Sequence, residues 1–305
     1  MKRSDGTAAN VRRQYETWPF PGREFLSREG LLLVKCLSRW LSTRSEGRPA
    51  RFIDVGCGTG HTTVALARHF PGHQFVGIDT SNTSLSLANR LREEHNVENV
   101  VFRRVDLQRK LPDLGTFRVV FCSGVLHHIK DLARTFRRVS SLVEPGGYLI
   151  LWLYGHYGRM RHQLNQQFLT LLSNGVTQSQ RLKIAETFTK RLGGKFVSGS
   201  GFYAPPGCGP EGLAWLISHP QWLADQMIPG FEQSVTMRDI LRLFDGQNIR
   251  FTKWLGVPTS LRRYTNSRLL LERFARLSAR ERLLAIDLLR KPEYYFVVGR
   301  RGFER

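Results

Sequence analysis

Three glycines stand at alternate positions of one short segment, close behind an aspartate. Residues 51–68 read RFIDVGCGTGHTTVALAR, in which Asp54 is followed by Gly56, Gly58 and Gly60. Glycine lets the backbone adopt turn conformations barred to other residues, and it brings N–H groups close to a ligand. A β-rich run precedes the turn and a helical repeat follows it, so the turn lies where ligands bind in a doubly wound sheet.

Two common nucleotide-binding motifs do not match this turn. A dinucleotide fingerprint requires glycine at position 61, where this chain has His61. A phosphate-binding loop requires a Gly-Lys pair followed by Ser or Thr, which the segment lacks. The flanking segments must therefore identify the ligand.

Short strands and helices alternate through the middle third of the chain. The pattern predicts strands over 51–55, 74–79, 99–105, 117–123 and 148–153, with helices over 62–70, 84–95 and 131–141. Helices over 159–173 and 178–192 and a Gly/Pro-rich loop over 193–212 then interrupt the alternation. It resumes with a helix over 237–244, a strand over 250–254, one long helix over 268–290 and a strand over 293–300. Such alternation favours a parallel sheet covered by helices on both faces.

The chain is accordingly expected to form one α/β fold with a helical insertion. We expect a doubly wound, seven-stranded, mostly parallel sheet, preceded by a helical segment and interrupted after the fifth strand. The expected divisions are a cap segment over 1–48, a ligand-binding core over 49–153, a helical insertion that caps the acceptor over 154–235, and the rest of the sheet over 236–305.

Further segments complete a pattern that is specific in combination. The second strand ends in FVGID at Asp79, and the third ends in RRVDL at Asp106. CSGVLHHIKD and LVEPGGYLIL follow as the fourth- and fifth-strand segments. In this order and spacing, residues 50–153 resemble the class I S-adenosylmethionine-dependent methyltransferases, whose fold is the Rossmann-like one expected above. The resemblance implies S-adenosylmethionine as the cofactor and methyl transfer as the activity.

The resemblance also implies which residues hold the cofactor. The glycine turn would pass under the methionine part, and Asp54 would face its amino group through water. Asp79 would accept hydrogen bonds from the ribose hydroxyls, and Asp106 from the adenine amino group; charge-assisted bonds of this kind are strong. A strand-end aspartate such as Asp106 is also a common helix N-cap. The expected cofactor-binding set is Asp54, Gly56, Cys57, Gly58, Gly60, Asp79, Thr80, Asp106, Leu107, Ser123 and Gly124.

Three residues are candidates for catalysis. An acceptor that must lose a proton needs a base, and His127 and His128 follow the fourth strand, where the resemblance places residues near the methyl group. The alternative is that they form a structural turn. Tyr15 lies in QYETWPFPGRE, similar to an Asn-Pro-Tyr-Pro segment of a bacterial subgroup, with Trp18 and Phe20 replacing its Asn and Tyr. Tyr15 would contact the sulfonium or the acceptor, unless the segment is only a hydrophobic staple.

Residues after the fifth strand are candidates for binding the acceptor. The expected acceptor-site residues are Trp18, Tyr154, His156, Tyr157, Arg161 and His219. Arg159, Arg161 and Arg262–Arg263 would hold an anionic acceptor, although each is equally compatible with a surface position. A small molecule is the favoured acceptor, because a large insertion can enclose a pocket and no Asn-Pro-Pro-Tyr motif is present.

The chain is strongly basic, with a formal net charge of +21, and most of the excess lies outside residues 51–150. Such a field favours anionic partners, so an RNA or protein methyltransferase is the main alternative. A module that binds the cofactor without turnover is a second alternative. The charge is equally compatible with a solvated, arginine-rich surface, so nucleic acid is not the favoured partner. The sequence does not indicate an oligomeric state.

Composition indicates the compartment and argues against a metal. Four cysteines are scattered without a CxxC pair, which predicts no zinc site and a reducing cytoplasm. No apolar run approaches the length of a membrane span, and residues 1–16 lack the apolar part of a signal peptide. We therefore expect a cytoplasmic protein.

Overall fold

One sheet of seven strands organises the chain in the computed structural model, which describes residues 6–21, 49–197 and 210–302. The strands are β1 (Arg51–Val55), β2 (Gln74–Asp79), β3 (Val100–Arg104), β4 (Phe117–Ser123), β5 (Val143–Tyr154), β6 (Ile249–Trp254) and β7 (Tyr294–Arg301). Their order is β3-β2-β1-β4-β5-β7-β6. The first five are parallel, and β7 is antiparallel to both of its neighbours. The predicted doubly wound, mostly parallel sheet is confirmed.

Helices lie between these strands. Those of the described residues are α1 (Gly6–Thr17), α2 (His61–His69), α3 (Asn82–Glu94), α4 (Leu132–Ser141), α5 (His156–Leu172), α6 (Gln178–Phe196), α7 (Pro210–Ser218), α8 (Pro220–Met227), α9 (Met237–Asp245), α10 (Arg268–Ala275) and α11 (Ala279–Arg290). Two single-turn 3₁₀ helices cover Leu126–His128 and Leu261–Arg263. No helix in the described part of the chain is long and apolar enough to cross a membrane.

Alternate residues of β1 show how the sheet separates two apolar layers. Phe52 packs in one cluster with Val64 of α2, while Ile53 packs in another with Phe136 and Val139 of α4. This alternation follows from the two-residue period of a strand, and the near-continuous apolar run of β1 is typical of a strand covered on both faces. The chain reverses direction of winding between β1 and β4, which opens a crevice at their carboxyl ends.

A third apolar cluster joins the N-terminal segment to the helices that follow β5. It contains Leu169 of α5, Phe188 of α6 and Trp222 of α8, and both Trp18 and Phe20 pack against it. Segments far apart in sequence therefore pack together.

The long helix predicted over 268–290 is wrong. The chain forms α10 and α11 instead, because Ser278 starts a new helix with a capping box: its side chain accepts from the Glu281 N–H, and the Glu281 carboxylate accepts from the Ser278 N–H. The loop predicted over 193–212 is also partly wrong, since α6 continues through Gly193 and Gly194 to Phe196 and α7 begins at Pro210. Residues 198–209 of that loop lie outside the described residues.

Candidate active site

A cavity of about 520 Å³ lies at the carboxyl ends of β1, β2 and β4, within the range of small-molecule sites. Strand ends supply its carboxylates, α1 and α8 supply further polar groups, and β5 and β7 supply aromatic rings. The sequence-predicted residues that line it are Tyr15, Asp54, Gly56, Cys57, Gly58, Asp79, Thr80, Asp106, Leu107, Ser123, Gly124, His127, His128 and Tyr154. The structure thus brings most of the expected site to one place.

The glycine turn needs glycine for its conformation and for close packing. Gly56 has φ +77° and Gly58 has φ +53°, a region that other residues rarely adopt. A Cβ at Gly58 would collide with the carbonyl oxygen of Phe20, so the N-terminal segment lies directly on the turn. Gly60 does not line the cavity; a Cβ there would meet Ala88 of α3. Gly60 also has a positive φ, +79°, so glycine is favoured there by conformation as well as by packing.

Three carboxylates at or just after strand ends line the same cavity as this turn. Asp54 is buried and accepts a hydrogen bond from Thr63 Oγ1 at 2.6 Å, and burial raises its pKa to about 7. Asp79 accepts from the N–H groups of Gly58 at 3.0 Å and Ser81 at 2.9 Å. Burial raises the pKa of Asp79 as well, against the lowering effect of these bonds.

The third carboxylate, Asp106, accepts from the Gln108 N–H at 2.9 Å and lies 3.5 Å from Arg109 Nε. A carboxylate oxygen has two lone pairs, so Asp54, Asp79 and Asp106 each retain acceptor capacity toward the cavity. Acceptors of this kind suit the hydroxyl and ammonium groups of S-adenosylmethionine. These three carboxylates therefore fit that cofactor.

The N-terminal segment is tied to the turn and to α3 by hydrogen bonds. The Thr59 N–H donates to the Phe20 carbonyl at 3.2 Å. The Glu16 carboxylate accepts from the N–H groups of Asn82 at 3.0 Å and Thr83 at 3.2 Å, at the N-terminus of α3. Glu16 acts there as a capping acid supplied by a distant segment. It was not among the residues expected from sequence.

Two adjacent histidines have different environments. His127 is 1% exposed, and neither ring nitrogen has a hydrogen-bond partner among the described residues. Burial lowers its pKa well below the ordinary value, and neighbouring His128 and Arg159 lower it further, so the imidazole is neutral. His128 is held by its Nδ1, which donates to the Phe231 carbonyl at 2.8 Å.

Asp225 and Gln226 of α8 line the cavity and were missed by sequence reasoning. Tyr15 Oη donates to Asp225 Oδ1 at 2.8 Å, and Gln226 Nε2 donates to Asp225 Oδ2 at 2.8 Å. Gln226 Nε2 also donates to Tyr154 Oη at 2.9 Å. No local motif in the sequence marks this carboxylate.

A buried ion pair supports the wall behind Tyr154. Arg159 has no exposed surface, its Nη2 lies 3.1 Å from a Glu232 carboxylate oxygen, and its guanidinium stacks 3.5 Å from the centre of the Tyr154 ring. Arg159 also donates to Gln226 Oε1 at 3.3 Å. It is therefore committed to protein groups and does not line the cavity.

The other residues expected to bind the acceptor lie outside the cavity. His156 contacts Ser234 Oγ through Nδ1 at 3.3 Å, and the ring of Tyr157 lies against the His156 ring. Arg161 is exposed, because the inward side of α5 at this level is occupied by Arg159 and His162.

His219 and Trp18 are the last two residues expected to bind the acceptor, and both pack against other side chains. His219 stacks on Trp215 with ring centres 4.0 Å apart, and its Nδ1 lies 2.7 Å from the Trp215 carbonyl. Trp18 packs against the third apolar cluster. Both help to hold the segments that cover the cavity.

Residues 48–189 match the family model described as "Methyltransferase domain". The match covers slightly less than half of the chain. This match and the carboxylates that line the cavity both support S-adenosylmethionine as the cofactor. The Tyr-x-x-x-Pro segment that resembles a bacterial subgroup lies ahead of the matched residues.

Two curated relatives are similar to parts of this chain. An uncharacterized protein of Synechococcus sp. is 34% identical over 127 residues, which cover 41% of this chain and 30% of that protein. Ubiquinone biosynthesis O-methyltransferase of Acinetobacter baumannii is 29% identical over 112 residues, which cover 36% of this chain and 46% of that protein. The chain thus spans less than half the length of either relative.

A solved structure shares the fold over most of the chain. PKMT2 from Rickettsia typhi in complex with AdoHcy superposes with a TM-score of 0.62 at 14% identity, covering 84% of this chain and 49% of that one.

In the described part of this chain, no group of three or more His, Cys, Asp or Glu is placed to hold a metal ion.

Proposed function

We propose that the protein transfers the methyl group of S-adenosylmethionine to a small-molecule acceptor. The observation that carries the proposal is the meeting of Asp54, Asp79 and Asp106 around one glycine turn, in a cavity that continues past the carboxylates to His127 and Tyr154. The match of residues 48–189 to a methyltransferase domain supports it. So does the similarity to a protein named as an O-methyltransferase of ubiquinone biosynthesis.

The residues would divide the cavity between cofactor and acceptor. Asp54 and Asp79, with the glycine turn, would hold the methionine and ribose parts, and Asp106 would bind the adenine. S-adenosylmethionine supplies an activated methyl group there when it is bound. The chain's contribution is chiefly to hold the acceptor in line with that group and to exclude water.

A cap over the acceptor is the second part of the proposal. Residues 6–21 and the helices after β5 would shape the acceptor site, since Trp18 and Phe20 pack against the same apolar cluster as those helices, and Tyr15, Tyr154 and Asp225 line the cavity. Such a cover favours a small acceptor over a macromolecule. His127 and His128 remain candidates for a base, in the case of an acceptor that loses a proton.

Binding of S-adenosylhomocysteine, measured by calorimetry, tests the cofactor site. We expect Asp79→Asn to weaken binding by at least about tenfold, because the ribose hydroxyls lose a charged acceptor. Asp113→Asn is the matched control, since Asp113 is exposed and outside the cavity. Equal affinity of the wild type and Asp79→Asn would contradict the assignment.

The acceptor class is tested by following a labelled methyl group. The protein is incubated with labelled S-adenosylmethionine and with either a size-filtered metabolite extract, total RNA or total protein from the same cells. We expect label in the metabolite fraction alone. Label in RNA or protein would support the alternatives raised by the basic composition and contradict a small-molecule acceptor.

A further inference from the structure

The cavity carries the opposite sign of charge to the chain as a whole. Its lining includes the carboxylates of Asp54, Asp79, Asp106 and Asp225, whereas the chain has a formal net charge of +21. Among the described residues that line it, Arg12 is the one arginine or lysine, and it is exposed. The basic surface therefore does not extend to the part of the cavity enclosed by protein.

Asp225 is the carboxylate that the proposed cofactor site leaves unused. It is 3% exposed, and each of its oxygens accepts one hydrogen bond, from Tyr15 and from Gln226. His128 Nε2 lies 3.8 Å away, beyond hydrogen-bond distance. No lysine or arginine of the described chain pairs with Asp225. A buried carboxylate without such a partner is costly, and a donor on a ligand would offset that cost.

His127 provides a second, independent indication of a ligand beside Asp225. Its side chain lines the same cavity, is almost fully buried, and has two ring nitrogens without a hydrogen-bond partner among the described residues. Most buried polar atoms in native proteins have a partner, so a ligand with polar groups explains both features. A neutral imidazole adds no positive charge that would attract an anion.

The surrounding wall is largely aromatic and apolar. Trp152 of β5, Tyr294 and Phe296 of β7 and Leu255 after β6 all line the cavity. Aromatic faces attract cations and pack against apolar surfaces, but they offer nothing to a carboxylate or phosphate. The wall, like Asp225, therefore favours a cationic or uncharged ligand over an anionic one.

The arginines that would hold an anionic acceptor are not available to it. Arg159 is paired with Glu232 behind the wall, and Arg161 is exposed on α5. Arg262 lines a separate depression, formed with residues of α10 and α11. None of the three lines the cavity.

We propose, on the basis of the methyltransferase function above, that the acceptor carries no negative charge and donates an O–H or N–H hydrogen bond to Asp225. Asp225 is the recognition residue, and Tyr15 and Gln226 are positioning residues that hold its carboxylate. The same carboxylate repels anionic acceptors in a water-poor site, where like charges interact strongly. The acceptor is thus an alcohol, phenol or amine with an apolar body.

Three probes with one skeleton test this preference. They are 3-phenylpropanol, 3-phenylpropylamine and 3-phenylpropanoate, which are neutral, cationic and anionic at neutral pH. Each is titrated by calorimetry into the full-length protein saturated with S-adenosylhomocysteine. We expect the alcohol and the amine to bind at least about tenfold more tightly than the carboxylate, a difference of about 1.4 kcal/mol. This comparison of three affinities uses only the wild-type protein, so it does not depend on whether a variant folds.

Asp225→Asn then assigns the preference to one side chain. The amide keeps the shape but removes the charge, so the amine should lose at least about tenfold in affinity and the alcohol less than about threefold. Asp113→Asn, on the exposed surface, should leave the ranking unchanged.

The two proposals fail in different ways. Absence of S-adenosylhomocysteine binding by the wild type would contradict the proposed function. If S-adenosylhomocysteine binds normally, any of three results would contradict the acceptor proposal. They are that the carboxylate binds as tightly as the other probes, that neither the alcohol nor the amine binds, or that Asp225→Asn leaves the affinity for the amine unchanged.

Discussion

Tyr15 of α1 donates a hydrogen bond from its phenolic oxygen to Asp225 Oδ1 of α8 at 2.8 Å, across 210 residues of sequence. Burial, followed by the Asp225 carboxylate, raises the pKa of Tyr15 well above its ordinary value, so the hydroxyl keeps its proton at neutral pH. The bond therefore joins the N-terminal segment to the wall of the cavity, with the Tyr15 hydroxyl as its donor.

We expect Tyr15→Phe to lower the free energy of unfolding by about 2 kcal/mol, the usual size for a hydrogen bond to a charged group. Urea denaturation followed by circular dichroism measures it. Tyr157→Phe is the control, because Tyr157 lies outside the cavity, and it should change the free energy by less than about 0.5 kcal/mol. Equal effects of the two substitutions would show that the Tyr15–Asp225 bond makes no special contribution to the free energy of unfolding.

Glu16 should stabilise the protein in a pH-dependent way. Burial raises its pKa, but the hydrogen bonds from Thr83 and Asn82 outweigh burial, and the net pKa is lowered. A lowered pKa in the folded state gives stability that is present above the unfolded pKa and is lost as pH falls through the folded one. We expect Glu16→Gln to cost about 1 kcal/mol at pH 7, as for other N-terminal caps, and the difference from wild type to shrink below about pH 4.

Unfolding in urea at a series of pH values measures this difference. Glu98→Gln, at an exposed position, serves as the control and should give no pH-dependent difference. A Glu16→Gln effect that persisted unchanged at pH 3 would show that the carboxylate charge is not involved.

Cofactor affinity should rise with pH through neutrality because of Asp54. Burial raises the pKa of this carboxyl to about 7, so at pH 6 it is mostly protonated and at pH 8 mostly ionised. The ammonium group of S-adenosylhomocysteine prefers the ionised form. We expect the dissociation constant to fall about tenfold between pH 6 and pH 8 in calorimetry, and Asp54→Asn to remove that dependence. The same slope in Asp54→Asn would assign the titration to another group.

The strands of this fold could be predicted because their signal is local. β1, β2 and β4 have the bounds expected from sequence, since each is a short apolar run ended by a turn or an acid. The break between α10 and α11 was missed because the apolar repeat continues across it. The Ser278-Ala-Arg-Glu281 capping box marks the break in the sequence, so attention to caps would have found it.

The candidate site likewise has one part that the sequence predicts and one part that it does not. The part proposed to hold the cofactor depends on Asp54, Asp79 and Asp106, which stand at or just after strand ends and so lie at one edge of the sheet in a parallel arrangement. The part proposed to hold the acceptor depends on Asp225, which lies beside Tyr15 and His128 only through tertiary packing. No local spacing encodes such a contact, and the helix that carries Asp225 lies beyond the regular alternation of strands and helices.

The buried pair of Arg159 and Glu232 should be sensitive to loss of one partner. Arg159→Met leaves the Glu232 carboxylate, whose side chain is 2% exposed, without its cation. Its remaining hydrogen bond, from Gln166 Nε2 at 3.1 Å, does not neutralise the charge. We expect a loss of about 3 to 5 kcal/mol in the free energy of unfolding, as for other buried pairs deprived of one partner. The double variant Arg159→Met/Glu232→Gln should lose less than the single one, because no charge is then left unpaired. Urea denaturation of the three proteins measures this, and a double variant that is less stable than Arg159→Met would show that charge pairing is not what the site requires.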